Sequence, residues 1–207
     1  MEEFVRYCKG KIYGVTGSDG KTTTTIIISK LLEAQGYKTW VGGNIGTPLF
    51  SKIEEIKEDD MVVLELSSFQ LMTMNLPIDV AVVTNISADH IGLGGIDSME
   101  QMAKVKQVVP ETVFKHGYAI LNAEDDLVYA MKDGLQCNIA LFSMDENNKR
   151  IIEHCKNGGY AAVFENGYIT IMKGTWKIRV VKVTEVPVTY GGKATHNIMN
   201  CLPAVLS

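Results

Sequence analysis

Short apolar runs alternate along the chain with longer amphipathic stretches. Residues 11–16, 61–66 and 78–86 are largely apolar, as is typical of parallel strands covered on both faces. Residues 22–35 and 98–109 instead repeat apolar side chains at helical spacing, as Ile28, Leu31 and Leu32 do. Strands that alternate with helices in this way predict an α/β fold, with a mostly parallel sheet flanked by helices.

The pattern changes after residue 158. Residues 161–163 and 168–171 are apolar and flank Glu165-Asn166-Gly167, a strong signal for a tight β-hairpin. Residues 176–183 then alternate between apolar and polar side chains, which predicts one more antiparallel strand. We therefore expect a small antiparallel β appendage on the parallel sheet. At the other end of the chain, we expect residues 4–9 to run into the first strand.

A glycine-rich loop separates the first predicted strand from the first long helix. Strand, glycine turn, Lys-Thr and helix are the parts of a phosphate-binding loop in their usual order. Glycines let successive backbone N–H groups turn toward one anion, and the helix N-terminus adds unpaired donors. Lys21 would reach the β- and γ-phosphates, and the hydroxyl of Thr22 or Thr23 would bind Mg²⁺. The predicted nucleotide-binding residues of this loop are Gly17, Ser18, Asp19, Gly20, Lys21, Thr22 and Thr23.

This loop is shorter than the common phosphate-binding pattern. G-x-x-x-x-G-K-[ST] requires a glycine at position 15, where this chain has Val15. Gly14 is one position too early and Gly17 two too late. A plain glycine turn with a solvated lysine is the alternative, and the Lys-Thr pair at the helix start argues against it.

Glu65 stands near the end of a strongly apolar run. A buried carboxylate costs free energy unless it is paired or bound to a metal ion. In open α/β sheets, ligands collect at the carboxyl ends of strands. Glu65 is therefore predicted to bind Mg²⁺ together with Thr22. Pairing with a lysine or a helix end is the alternative.

The segment V-T-G-S-D-G-K-T-T-T-T closely resembles the ATP-binding loop of the Mur ligases, which form amide bonds in bacterial cell-wall synthesis. The resemblance implies ATP and Mg²⁺ as cofactors, and a carboxylate and an amino acid as substrates joined through an acyl phosphate. It also implies that residues 1–207 are one central ATP-binding domain, without the UDP-binding N-terminal and amino-acid-binding C-terminal domains. The ends of the sequence look cut, and we expect the isolated chain to be inactive.

The same resemblance assigns roles to four more residues. His90 would hold a second Mg²⁺, and Lys106 would become carbamylated and complete that metal site, so that Lys21, His90 and Lys106 are the predicted catalytic residues. Asn197 and Asn200, in H-N-x-x-N, would contact adenine with amides that both donate and accept. The residues alone leave alternatives open: a structural histidine, a solvated lysine, and one helix cap beside one surface amide.

Two parts of the chain resemble different branches of the family. Residues 1–77, with V-L-E-L-S-S-F-Q-L, resemble the branch that adds D-glutamate to a UDP-linked muramoyl substrate. Residues 80–207, with D-V-A-V-V-T-N-I-S-A-D-H-I-G-L-G-G-I-D, resemble the cyanophycin-synthesising branch. A divergent member, a natural recombinant and a chimera all fit this division. We expect the D-glutamate-adding activity; a cyanophycin-type ligase and a nucleotide-binding module without ligase activity are the alternatives.

Charge and composition narrow the class of partners. A net charge of −4 over 207 residues offers no basic surface for nucleic acid. No apolar run approaches the length of a membrane span. Four scattered cysteines without a C-x-x-C pair are typical of reduced thiols in the cytoplasm. We therefore expect a cytoplasmic, monomeric protein that binds neither nucleic acid nor membrane.

Overall fold

The computed structural model describes residues 1–46, 48–72, 74–75, 77–88, 92 and 95–207. The strands are β1 (Lys11–Thr16), β2 (Thr39–Gly43), β3 (Met61–Glu65), β4 (Ile78–Val83), β5 (Val113–Asn122), β6 (Asn138–Ser143), β7 (Tyr160–Glu165), β8 (Tyr168–Lys173) and β9 (Trp176–Lys182). The α-helices are α1 (Glu2–Tyr7), α2 (Lys21–Ala34), α3 (Ser68–Leu71), α4 (Met99–Glu111), α5 (Asp126–Ala130), α6 (Lys149–Lys156) and α7 (Thr195–Ala204). Short 3-10 turns cover Leu49–Glu55, Val183–Glu185 and Pro187–Thr189.

The strands of the described residues form one sheet in the order β2-β3-β1-β4-β5-β6-β7-β8-β9. Neighbours from β2 to β7 pair in parallel, and β8 and β9 are antiparallel additions. The predicted α/β fold and antiparallel appendage are confirmed, and the appendage continues the main sheet. Asn166 and Gly167, with φ of 51° and 83°, have the backbone that a two-residue hairpin turn needs.

The glycine-rich loop lies where the order of strands reverses. β1 pairs with β3 on one side and with β4 on the other. From β1 the chain passes to β2 at the edge of the sheet and returns to β3, between β2 and β1. It then crosses to β4 on the other side of β1. Such a reversal opens a crevice at the carboxyl ends of the strands. The loop after β1 is thus flanked by the ends of β3 and β4.

Helices cover both faces of the sheet. Strand side chains alternate between the faces, so that Val15 and Val63 join one core while Val62 and Leu64 join another. One face is covered by α2 and α7, through Ile28, Ile198 and Leu202. The opposite face is covered by α4, α5 and α6, through Met102, Val128 and Ile151. Of the helices in the described ranges, none combines the length and apolar character needed to cross a membrane.

The N-terminal segment is helical, and the expectation that residues 4–9 simply run into the first strand is wrong. Arg6 forms ion pairs with Glu2 at 3.2 Å and Glu3 at 3.4 Å, the spacings at which helical side chains meet. Phe4 and Val5 are buried and hold this short helix to the domain. The apolar residues suggested a strand, whereas the charge spacing favoured the helix.

Candidate functional site

Among the residues that the structure describes, no side chain accepts from the backbone donors at the start of α2. Gly20 precedes α2 with a φ of 79°, and no described side chain caps the helix. The first backbone bond of the helix runs from Thr24 N–H to Gly20 O at 2.9 Å. The N–H groups of residues 20–23 therefore have no acceptor within the helix. A Cβ at Gly20 would lie 2.1 Å from Asn200 Oδ1, so glycine is required there. These donors and the helix dipole make an anion site.

Two other N–H groups of the loop are already used inside the protein. Ser18 N–H donates to Asn85 O at 2.8 Å, and Asp19 N–H donates to Asn85 Oδ1 at 2.9 Å. The expectation that successive N–H groups of the loop face one anion is therefore wrong for Ser18 and Asp19. In the side chain of Ser18, Oγ accepts a hydrogen bond from Ser87 N–H at 2.9 Å.

Lys21 folds back over the loop that precedes it. Its Nζ donates to Ser18 O at 2.7 Å. The side chain borders a cavity of about 230 Å³ at the carboxyl edge of the sheet. The cavity is lined by Gly17, Ser18, Lys21, Asn44, Ser67, Ser68, Phe69, Ile96, Met102 and Lys106. Two lysines and the start of α2 thus border one space, and an anionic group would neutralise their charge.

Glu65 ends β3 with its side chain almost completely buried, at 2% exposure. The Thr22 hydroxyl donates to Glu65 Oε2 at 2.6 Å, and Asn44 Nδ2 donates to Oε1 at 2.9 Å. Neutral donors satisfy the carboxylate. Of the two alternative partners, the helix end is present, because Thr22 lies in the first turn of α2, whereas neither of these donors is a lysine. The structure therefore brings together Thr22 and Glu65, the two residues predicted to bind the first Mg²⁺.

The donor atoms at Thr22 and Glu65 suit magnesium. Mg²⁺ prefers oxygen ligands, and it usually takes one or two carboxylates together with phosphate oxygens and water. Within the described residues, no group of three or more His, Cys, Asp and Glu side chains is placed to hold a metal. One hydroxyl and one carboxylate match the smaller protein contribution that a nucleotide-bound Mg²⁺ requires.

Lys106 lies inside the protein on α4. It is 3% exposed, and its Nζ donates to Gly17 O at 2.9 Å and to Ser68 Oγ at 3.0 Å. The pKa of Lys106 is lowered to about 8, chiefly by burial and also by the charge of Lys21, while Asp19 partly opposes both effects. The alternative of a solvated lysine is therefore wrong for this residue. Lys104, two positions earlier, is exposed.

Asn197 and Asn200 lie on α7 beside the glycine-rich loop. Asn197 Nδ2 donates to Val188 O at 2.7 Å, and Asn200 Nδ2 donates to Asn197 Oδ1 at 3.3 Å. Both side chains are buried, so the alternative of one cap and one surface amide is wrong. Asn200 also contacts Gly20, as noted above. A contact of either amide with adenine stays a prediction. His90 lies outside the described residues, and its metal-binding role stays a prediction too.

Several polar residues of this site were not predicted from the sequence. Asn44 contacts Glu65, Ser68 contacts Lys106, and Thr84 and Asn85 contact the loop. Each follows a strand at its carboxyl end, which is the available signal. The partners themselves are distant in sequence, which is why the pattern did not identify them.

Comparison with known proteins places the chain among enzymes of similar sequence. The family model of the Mur ligase middle domain matches residues 15–207. A UDP-N-acetylmuramoylalanine--D-glutamate ligase of Clostridium botulinum (strain Alaska E43 / Type E3) is 45% identical over all 207 residues, and one of Clostridium perfringens (strain 13 / Type A) is 44% identical. The chain spans 41% of the length of each of these curated relatives. Relatives of one name match both 1–77 and 80–207, so a recombinant or chimeric origin is not needed.

Solved structures share the fold at lower sequence identity. A UDP-N-acetylmuramoyl-L-alanyl-D-glutamate--2,6-diaminopimelate ligase matches 94% of this chain and 46% of its own, with 18% identity and a TM-score of 0.61. MurF from Acinetobacter baumannii matches 98% of this chain and 42% of its own, with 18% identity and a TM-score of 0.63. A bifunctional folylpolyglutamate synthase/dihydrofolate synthase, solved with Mn, AMPPNP and L-glutamate, matches 98% of this chain and 58% of its own, with 15% identity and a TM-score of 0.56.

Proposed function

The chain belongs to the Mur ligase family as a middle domain, and we propose that it binds MgATP for an amide-bond-forming ligase. One observation carries the proposal. The Thr22 hydroxyl at the start of α2 donates to the buried Glu65 at 2.6 Å, and the neighbouring Lys21 borders a cavity together with Lys106. Free helix donors, two cations and an oxygen pair for Mg²⁺ are together what a nucleoside triphosphate needs.

The residues have distinct roles in the proposed reaction. The N–H groups of residues 20–23 and Lys21 would hold the phosphates and stabilise charge that develops on the transferred group. Thr22 and Glu65 would fix Mg²⁺, which supplies electrostatic neutralisation of the phosphate oxygens when bound. A substrate carboxylate oxygen attacks the γ-phosphorus and ADP leaves; an amine nitrogen then attacks the acyl phosphate, losing a proton as phosphate departs.

The proposed substrates follow the names of the similar enzymes. We propose that the complete protein joins UDP-N-acetylmuramoyl-L-alanine to D-glutamate, since proteins so named are up to 45% identical over this whole chain. Metal and nucleotide use is supported by the Mn and AMPPNP in the folylpolyglutamate synthase structure. A monomer in the cytoplasm is part of the proposal, and free thiols at Cys8, Cys137, Cys155 and Cys201 fit a reducing compartment.

We propose in addition that Lys106 is carbamylated. Carbamylation requires a neutral amine, which burial favours by lowering the pKa to about 8. The carbamate would add a carboxylate-like ligand beside the phosphate-binding loop. In ¹³C-bicarbonate, we expect one carbamate NMR signal in the wild type and in Lys104→Ala, and none in Lys106→Ala. A signal that persists in Lys106→Ala would contradict the assignment.

The proposed nucleotide site is tested by calorimetric titration of the 207-residue chain with MgATP. We expect binding in the wild type, at least a tenfold loss of affinity in Lys21→Ala, and unchanged binding in the control Lys104→Ala, because Lys104 is exposed and outside the loop. Equal MgATP affinities in the wild type and Lys21→Ala would contradict the assignment of the loop as a phosphate-binding site. Ligase activity is measured on the full-length protein, and product formation from UDP-N-acetylmuramoyl-L-alanine and D-glutamate is compared with product formation from cyanophycin substrates.

A further inference from the structure

The peptide group between Asp19 and Gly20 is held from one side by two residues of the segment after β4. Asp19 O accepts a hydrogen bond from Thr84 Oγ1 at 2.6 Å and another from Asn85 Nδ2 at 3.3 Å. Thr84 Oγ1 also lies 3.3 Å from Thr16 O. A hydroxyl carries one hydrogen, so the nearer oxygen, that of Asp19, is its main acceptor. Asn85 Oδ1 holds the adjoining Asp19 N–H at 2.9 Å.

Holding the carbonyl of Asp19 also fixes the direction of the next N–H. In a planar trans peptide, C=O and N–H point to opposite sides. With Asp19 O turned toward Thr84 and Asn85, the Gly20 N–H points away from them. No acceptor for this N–H occurs among residues 1–46, 48–72, 74–75, 77–88, 92 and 95–207. It is the first of the four free donors at the start of α2.

This orientation needs support because the loop itself gives little resistance to rotation. Gly20 has a φ of 79°, and glycine occupies positive and negative φ about equally well. Rotation of the peptide by half a turn would point the Asp19 carbonyl at the anion instead of the Gly20 N–H. An oxygen dipole in that place would repel phosphate. The bonds from Thr84 and Asn85 oppose that rotation.

We propose that Thr84 and Asn85 are positioning residues, which lock the Asp19–Gly20 peptide with its N–H toward the phosphates. The inference rests on the proposed function, since it concerns the phosphate part of the same site. Neither side chain donates to the anion. Thr84 is buried, with 4% exposure, and acts through its single hydroxyl, whereas Asn85 is partly exposed and acts through both atoms of its amide.

Three variants of the 207-residue chain test the lock. Thr84→Val removes the hydroxyl and keeps the shape, and Asn85→Ala removes both amide bonds. Asn138→Ala is the matched control, because Asn138 Nδ2 donates to His116 O at 3.3 Å and Gly117 O at 3.1 Å, at the opposite edge of the sheet. Affinity is measured by calorimetry for MgATP and for magnesium tripolyphosphate, which has the phosphates but no nucleoside. Folding of each variant is checked by thermal melting.

We expect Thr84→Val and Asn85→Ala each to weaken both ligands about tenfold, and Asn138→Ala to leave both affinities unchanged. If both variants bind tripolyphosphate as tightly as the wild type, the positioning role of Thr84 and Asn85 is overturned. The proposed nucleotide site would still stand if Lys21→Ala weakens binding. A lower affinity for MgATP with an unchanged affinity for tripolyphosphate would also overturn the positioning role, since the lost contacts would then be those to the nucleoside. If Thr84→Val does not fold, Asn85→Ala decides alone. A wild-type chain that binds neither ligand would remove both the proposed function and the lock.

Discussion

At the scale of single residues, Lys106 is an ammonium group kept away from water. Its Nζ bonds to Gly17 O and Ser68 Oγ, which compensate only part of the lost hydration. Lys21 borders the same cavity and adds a like charge. The folded state therefore binds the Lys106 proton less tightly than the unfolded state does, and this difference makes stability depend on pH.

Lys106 is expected to make the protein more stable as the pH rises from 8 toward 10. Its pKa is about 8 in the folded state against 10.5 ordinarily, so between these values the unfolded chain binds more protons. The free-energy cost of burying the charged Lys106 is present in full below about pH 8 and decreases as the pH rises above it. In CO₂-free buffer, the free energy of unfolding should gain on the order of 2 kcal/mol relative to Lys106→Met over this range. The measurement is urea denaturation at each pH. If the free energies of unfolding of the wild type and Lys106→Met change in parallel with pH, the prediction is contradicted.

The sequence identified residues whose chemistry is local and missed those whose partners are distant. Lys21, Thr22 and Glu65 were predicted because a loop pattern or a lone acid in an apolar run is visible in a few residues. Asn44 and Asn85 were missed, since each acts on a residue 21 or 66 positions away. For Lys106, the lysine was found through a resemblance, and its burial followed only from how α4 packs on the sheet.

At the scale of elements, the short helix α5 is tied to the segment after β4. Asp125, its cap, accepts from Leu127 N–H and Val128 N–H with Oδ1, each at 3.0 Å. Asp125 is thus an ordinary helix cap. Its Oδ2 accepts from Ile86 N–H at 2.7 Å, immediately beyond Asn85. One carboxylate thus starts a helix and anchors the segment that holds the loop.

Asp125→Ala is expected to destabilise the protein by about 2 kcal/mol, because it removes a helix cap and leaves Ile86 N–H without its acceptor. The matched control is Asn148→Ala, which removes the cap of α6, where Oδ1 accepts from Arg150 N–H at 2.9 Å. That control should cost about 1 kcal/mol. Both values come from urea denaturation, and equal losses in the two variants would show that the bond to Ile86 contributes nothing.

Boundaries of elements were predicted well where a polar residue marks them. The predicted helix at 98–109 corresponds to α4, and Ser98 Oγ accepts from Gln101 N–H at 3.2 Å as its cap. The single turn α3 was not predicted, because four residues carry too little periodicity. Its start is fixed by Ser67 and Gln70, which cap each other's backbone N–H groups. Short elements of this kind depend on local hydrogen bonds more than on apolar spacing.

At the scale of the whole molecule, the class of fold was predictable and the order of the strands was not. Apolar runs fix which segments are strands, and their alternation with helices indicates parallel pairing. Placing β1 between β3 and β4 depends on contacts between segments that are 50 to 70 residues apart. The hydrophobic pattern contains no information on that arrangement, and no order of strands was predicted.

The contact between Gly20 and Asn200 has a consequence for how the protein is made. Thr24 Oγ1 also donates to Asn200 O at 3.3 Å, so two contacts join the start of α2 to a helix 176 residues later in the chain. On the ribosome, β1, β3 and β4 are synthesised long before α7. A nascent chain synthesised only as far as residue 150 therefore has its glycine loop and Glu65 but lacks the helix that packs against the start of α2. Nucleotide is expected to bind only after α7 has packed against the start of α2, and not to guide the folding of the earlier strands.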